Sequence, residues 1–149
     1  GISVPSDRQI DGANFLPLLE GKPVERTTPL YWHFLRASSK AKVAMRIGDW
    51  KLLAQLNIPA LKPSADLLPE EMKALKPAEL ATFELYNLKT DIGEKTDLAK
   101  SEPERLARMS TLMKSLYREV RDESPVWEPW TWPRYESKLI EWPTYRNRR

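Results

Sequence analysis

The chain of 149 residues contains no cysteine, so it has no disulfide, thiolate nucleophile or thiolate metal site. It contains one histidine, His33, which as a general base has no visible partner in the sequence. No apolar run is long enough to cross a bilayer, and the first residues lack a signal-peptide pattern. Excess charge is also absent from most of the chain. Residues 134–149 hold five Lys/Arg against Glu136 and Glu141, which accounts for the whole net charge of +3. The remaining residues balance to zero, so the bulk of the protein is not a basic nucleic-acid binder. The basic end reads as a short solvated tail, with a nucleic-acid-binding tail ranked last. Apolar content is 41%, ordinary for a globular domain, and the length suits one domain with a modest core.

The residues that are present fall into recognisable elements. Asn14–Leu19 reads as a helical turn, with Asn14 as cap and Gly21 closing it. "PLYWHFLR" (29–36) and "KVAMRI" (42–47) are rich in aromatic and branched residues, as strands are. In the second, Val43, Met45 and Ile47 share one face. "GDW" then leads into "WKLLAQL", and Gly48–Asp49 suits a tight turn, so 42–56 reads as a β-hairpin. Trp50 follows that turn and begins a strand, which predicts burial against the helix or against a further domain. Residues 57–82 are interrupted by proline and read as an insertion. It holds a short helix in "LPEEMKAL" (68–75), and "PAELATF" starts another turn. "FELYNL" (83–88) is the fourth strand, with Phe83, Leu85 and Asn87 on one face.

Ser101 and Glu104 fit a capping box ahead of a helix over 102–122. Leu106, Met109, Met113, Leu116 and Val120 then recur at helical spacing and form one apolar stripe to lay across the sheet. After Ser124 the pattern stops. Four of the six tryptophans and four prolines come after it, which predicts an extended tail over 124–149 lying on a protein surface.

Five segments in order carry a resemblance: "DRQIDGANFLPLLEGK" (7–22), "RTTPLYWHF" (26–34), "AMRIGDWKLL" (44–53), "ELYNLKTDIGEKTDLA" (84–99) and the final helix. Together they resemble the C-terminal portion of formylglycine-dependent sulfatases, the arylsulfatase and N-acetylgalactosamine-6-sulfatase-like family. The resemblance implies an α+β fold. A small four-stranded antiparallel sheet would carry a packed C-terminal helix, as in the C-terminal subdomain of the alkaline-phosphatase-like sulfatase fold. It would span residues 1–123, with 57–82 as an insertion. Its partner would be an N-terminal sulfatase domain that holds the nucleophile and a calcium site. The substrate would be a sulfated carbohydrate or an aryl sulfate, and the setting periplasmic or secreted.

"SVPSDR" (3–8) is one residue longer than the family's nucleophile motif, and "QIDGANFLPLL" after it matches the opposite end of the family's chain. Ser3 therefore reads as part of a solvated loop. Sulfate ester hydrolysis needs a nucleophile, a divalent cation and a proton donor. No tight Asp/Asn cluster stands here to hold the cation. Asp7 and Asp11 read as polar residues where the chain leaves the larger domain, while Asp91, Glu94 and Asp97 cap and solvate a turn. No catalytic residue is assigned. His33 and Arg36, at the end of the first strand, are the candidate substrate contacts. Alternation along that strand turns them to opposite sides, so one of the two is favoured. The structural alternative for His33 is a packed strand residue beside Trp32 and Phe34. The alternative for the whole chain is an independent carbohydrate-binding or interaction module, suggested by the tryptophan-rich tail.

Overall fold

A hairpin whose turn and alternation agree forms the centre of the sheet. The computed structural model describes residue 7 and residues 10–61 and 69–124. The elements run α1 (Leu16–Leu19), β1 (Leu30–His33), β2 (Val43–Ile47), β3 (Trp50–Leu56), α2 (Pro69–Leu75), β4 (Leu80–Asn87) and α3 (Pro103–Glu123). The strands form one antiparallel sheet in the order β1-β2-β3-β4. With α3 packed against it, this is an α+β fold. Between β2 and β3 only Gly48 and Asp49 intervene, because Ile47 pairs with Trp50. Gly48 has φ +56°, a conformation that costs a glycine nothing.

Alternation then sorts side chains between the two faces of the sheet. Val43, Met45, Leu52, Ala54 and Leu85 are buried on the side that α3 covers. Met109, Met113 and Tyr117 are the buried residues of α3 and complete this core. The predicted stripe is thus correct at Met109 and Met113, with Leu106 and Leu116 partly buried beside them. Val120 is exposed, and the large side chain in its place is Tyr117, one turn after Met113. Ile47 shares the face of Val43 and Met45, but it lies at the end of the hairpin and is exposed.

Two predicted boundaries move. β4 begins at Leu80, so 80–82 are strand rather than the turn expected in "PAELATF". Ala54 pairs with Phe83 but Leu56 pairs with Leu80, so Ala81 and Thr82 stand opposite Gln55 alone. This bulge breaks the period of two and lets Leu80 and Phe83 both meet the core, although an odd spacing separates them. The second correction concerns α3. Its N-cap is Glu102, with no side-chain cap hydrogen bond. The Ser101 hydroxyl donates instead to the Leu98 carbonyl (3.2 Å), so the capping box does not form. Pro103 opens the helix, and Glu104 sits in its first turn, where a carboxylate favours the dipole.

Polar contacts close the ends of this layer. The Tyr117 hydroxyl donates to the Ala78 carbonyl (2.9 Å). Lys76 Nζ donates to the carbonyls of Arg121 (2.7 Å) and Ser124 (2.8 Å), which satisfies the C-terminal end of α3. Along β4, Asp97 Oδ1 accepts from the amides of Leu85 and Ala99 (both 2.9 Å), and the Leu98 amide donates to the Leu85 carbonyl (2.8 Å). The edge strand is therefore covered by the segment after it. Asp91 Oδ2 accepts from the amides of Lys95 and Thr96, so both aspartates hold a turn as expected.

Trp50 packs against the core beside α3, as expected, but the helix covers only part of it. It is only half-buried, with the Arg105 guanidinium from α3 4.0 Å over its ring. Its position beside the turn of the hairpin leaves part of the indole in solvent. Leu52, fully buried two residues later, carries more of the core. Leu52→Ala is expected to lower unfolding free energy by about 2–5 kcal/mol and Trp50→Ala by less. Urea denaturation measures both, and a loss at Trp50 equal to that at Leu52 would overturn this ranking.

Candidate functional site

The loop between β1 and β2 is built from inside by a lysine. Phe34 and Lys42 continue the ladder for one bond, Phe34 N to Lys42 O (2.9 Å), before the chain turns away. Lys42 Nζ then donates to the carbonyls of Ala37 (2.6 Å) and Ser39 (2.8 Å). The Ser39 hydroxyl donates to Ala41 O (2.9 Å). These bonds satisfy carbonyls that a sheet would otherwise have paired, and they fix the loop. Arg36 ties the same loop to α2, its guanidinium 2.6 Å from Glu71 Oε2. Both side chains are largely buried, at 16% and 8% exposed, which makes this a structural ion pair rather than a surface one.

The loop forms one wall of a groove of about 470 Å³, and the segment after β3, Gln55 to Leu61, forms another. Among the described residues, Arg36, Lys40 and Lys42 are the charged residues of its lining. Leu56, Ile58 and Pro59 make an apolar side.

The two sequence candidates separate. Arg36 lies in the groove wall, held by Glu71. His33 lies on the side of the sheet that α3 covers, paired with Val43 across the ladder. Its ring is 5.4 Å from that of Tyr117. Burial pushes the imidazole below its ordinary range, and Nε2 has no hydrogen-bond partner among the described residues. Tyr31, two residues earlier on the same face, is pushed up by burial and by the neighbouring Tyr117. The strand ends at His33, so the alternation that set Arg36 with Trp32 and Phe34 does not extend to the loop. Glu71, Lys42 and the groove itself were not read from the sequence. Arg36 and Glu71 are 35 residues apart, and no local pattern links them.

Among the described residues no group of three or more His, Cys, Asp or Glu is placed to hold a metal ion. No helix among them is long and apolar enough to cross a membrane. Ser3 and the tail after Ser124 lie outside the described residues.

No family model matches the chain, and no curated protein matches it. Among solved structures, the chain is similar to part of a glycosaminoglycan 6S-sulfatase from Bacteroides thetaiotaomicron. The identity is 21% and the TM-score 0.42, over 81% of this chain. The chain spans 22% of the length of that structure.

The site yields two measurements. Glu71→Ala leaves the largely buried Arg36 cation without its carboxylate and is expected to cost about 3 kcal/mol, read as a shift in the urea midpoint. A shift within about 0.5 kcal/mol would show the pair to be ornamental. The second concerns pH. The unfolded chain keeps His33 near its ordinary value of about 6.5, and burial lowers it in the fold. The unfolded state thus binds the proton first. The contribution of neutral His33 is complete above about pH 6.5 and declines as pH falls below it, until the folded-state pKa is passed. His33 is the sole histidine, so a loss of stability between pH 7 and 5 that disappears in His33→Leu identifies it.

Proposed function

We propose that this chain is a subdomain of a sulfate ester hydrolase, completing its fold and lining one edge of its substrate cleft. The observation that carries this reading is the placement of the five sulfatase-like segments. The described parts fall in order on α1, β1, the β2–β3 hairpin, β4 with its adjoining turn, and α3. They make one sheet-and-helix layer rather than scattered matches.

The surface agrees with a part of a larger body. Phe15, Leu16, Leu18 and Leu19 are 59–75% exposed, and α1 contributes nothing to the core. Trp32 and Phe34 are exposed on the side of the sheet away from α3. Apolar side chains grouped in this way mark a surface that another domain covers.

In this reading the nucleophile and a calcium site belong to an N-terminal domain, and the substrate is a sulfated carbohydrate or aryl sulfate. Among the described residues, the acids that lie close together after β4 already have partners. Asp91 and Asp97 accept backbone amides, and Glu94 is paired with Lys51 (2.6 Å). In this reading the calcium is held by that N-terminal domain, and the setting is periplasmic or secreted. Of the two substrate candidates, Arg36 stands in the groove and is favoured over His33.

The test is to read the gene upstream of Gly1 and express the longer product. A Cys/Ser-x-Pro-Ser-Arg motif upstream is expected, with calcium-dependent release of sulfate by the longer protein. The 149-residue chain alone is expected to release no nitrophenol from an aryl sulfate. Turnover by the short chain, or an upstream region without the motif, would overturn the proposal.

A further inference from the structure

We infer that the last turns of α3 are a pH-operated latch. Protonating His33 releases Tyr117 and the stretch 76–79 tied to it, while the first turns of α3 stay on the sheet. The latch does not depend on the chain's being part of a sulfate ester hydrolase. It gives the pH dependence of His33 a place in the fold.

Two buried polar atoms meet that end of the helix. Tyr31 and His33 stand two residues apart on β1 and share the face under α3. Neither Tyr31 Oη nor His33 Nε2 has a hydrogen-bond partner among the described residues, so the two do not bond to each other. The Tyr117 ring is tilted against that of His33, with centroids 5.4 Å apart. An imidazolium carries a proton on both nitrogens, so Nε2 would become a charged donor with nothing to receive it. Burial pushes the imidazole below its ordinary range, and His33 has no ion pair among the described residues to offset this. The groups around it are neutral or already taken. Val43, opposite it on β2, carries no charge, and the neighbouring Lys42 serves the loop carbonyls. Arg36, on the loop after β1, is paired with Glu71 of α2. Tyr31 and Tyr117 are pushed up by burial and stay protonated. Arg121, 5.7 Å over the Tyr117 ring, is held by Glu79 and Asp122. Its hydrogen bonds keep both carboxyls below the usual range, so they stay charged while His33 titrates.

The release is local because separate contacts hold the two ends of α3. Arg105 lies 4.0 Å over Trp50 beside the hairpin turn, and Met109 and Met113 fill the core. The far end is the part that meets His33. There the Tyr117 hydroxyl (2.9 Å) and Arg121 (3.1 Å) both donate to the Ala78 carbonyl, and Lys76 reaches back to the carbonyls of Arg121 and Ser124. Lifting Tyr117 lets water reach His33 Nε2 and Tyr31 Oη together, which satisfies both atoms. The contacts given up are those of about two helical turns, and helix ends open at a small part of the global unfolding free energy. The open form binds the proton more tightly than the closed one. The closed form therefore prevails above about pH 6.5 and gives way as pH falls below it.

The experiment is hydrogen exchange read amide by amide on the 149-residue chain, at about pH 7.5 and about pH 5, with each rate corrected for its intrinsic value. Protection at Arg118, Val120 and Arg121 is expected to fall about tenfold or more at the lower pH, while that at Met113, Leu52 and Leu85 changes by less than about twofold. The amides of Tyr117 and Ala78 should shift with the His33 ring, at one shared midpoint below about pH 6.5. In His33→Gln, which is neutral at both pH values, protection at the end of α3 should no longer depend on pH. A fall shared equally by α3 and the sheet would show global unfolding and overturn the latch. So would unchanged protection at Arg118 to Arg121, or a pH dependence that survives in His33→Gln. If that variant does not fold, the unsubstituted chain decides, because a Tyr117 midpoint different from that of the His33 ring overturns the latch as well.

Discussion

The contact between α3 and the sheet is the constraint on which the rest of the domain depends. Met109, Met113 and Tyr117 lie on Met45, Leu52, Ala54 and Leu85, and together they form the only buried cluster of this size among the described residues. A small antiparallel sheet with one face in water has little stability of its own. The helix supplies the second layer. It also fixes the start of β4, because the Tyr117 hydroxyl and the Arg121 guanidinium both donate to the Ala78 carbonyl. Glu79 is drawn in by Arg118 and Arg121, whose hydrogen bonds hold its carboxyl below the usual range. The same residues that close the core therefore also clasp the chain entering the edge strand.

Much of this was legible in the sequence because it is periodic. Val43 and Met45 alternate with polar neighbours, Gly48–Asp49 marks the turn, and Met109 and Met113 recur at helical spacing. The misses occur where a local rule competes with tertiary geometry. The bulge opposite Gln55 hid the first residues of β4, since it breaks the period by which strands are read. Tyr117 was passed over for Leu116 and Val120 because three spacings fit one helical face, and only the sheet decides which residue points inward. Ser101 carries the right chemistry for a cap, but its hydroxyl is held by the preceding turn. Of the groove, Arg36 was the residue singled out in the sequence, while His33 lies under α3. The Arg36–Glu71 pair was not visible there, because it joins elements that only folding brings together.

The basic residues show why composition overstates binding capacity. Arg26 donates to the Asp11 carbonyl, Arg46 to that of Gly48, Lys42 to those of Ala37 and Ser39, and Lys76 to those of Arg121 and Ser124. Each cation satisfies backbone oxygens where regular structure stops, so each is part of the scaffold. A lysine in such a position and a lysine in solvent look alike in a sequence. They differ in the cost of binding an anion, because a scaffold lysine must first abandon its carbonyls.

That difference bears on where a ligand can sit relative to a covering domain. Trp32 and Phe34 are exposed on the side of the sheet away from α3, and the groove loop starts at the very next residues. A body that covers those two side chains ends beside Leu35 and Arg36. The groove then opens at the border of the covered surface, where sites between domains characteristically form. Burying Trp32 and Phe34 there would also exclude water from one flank of the loop.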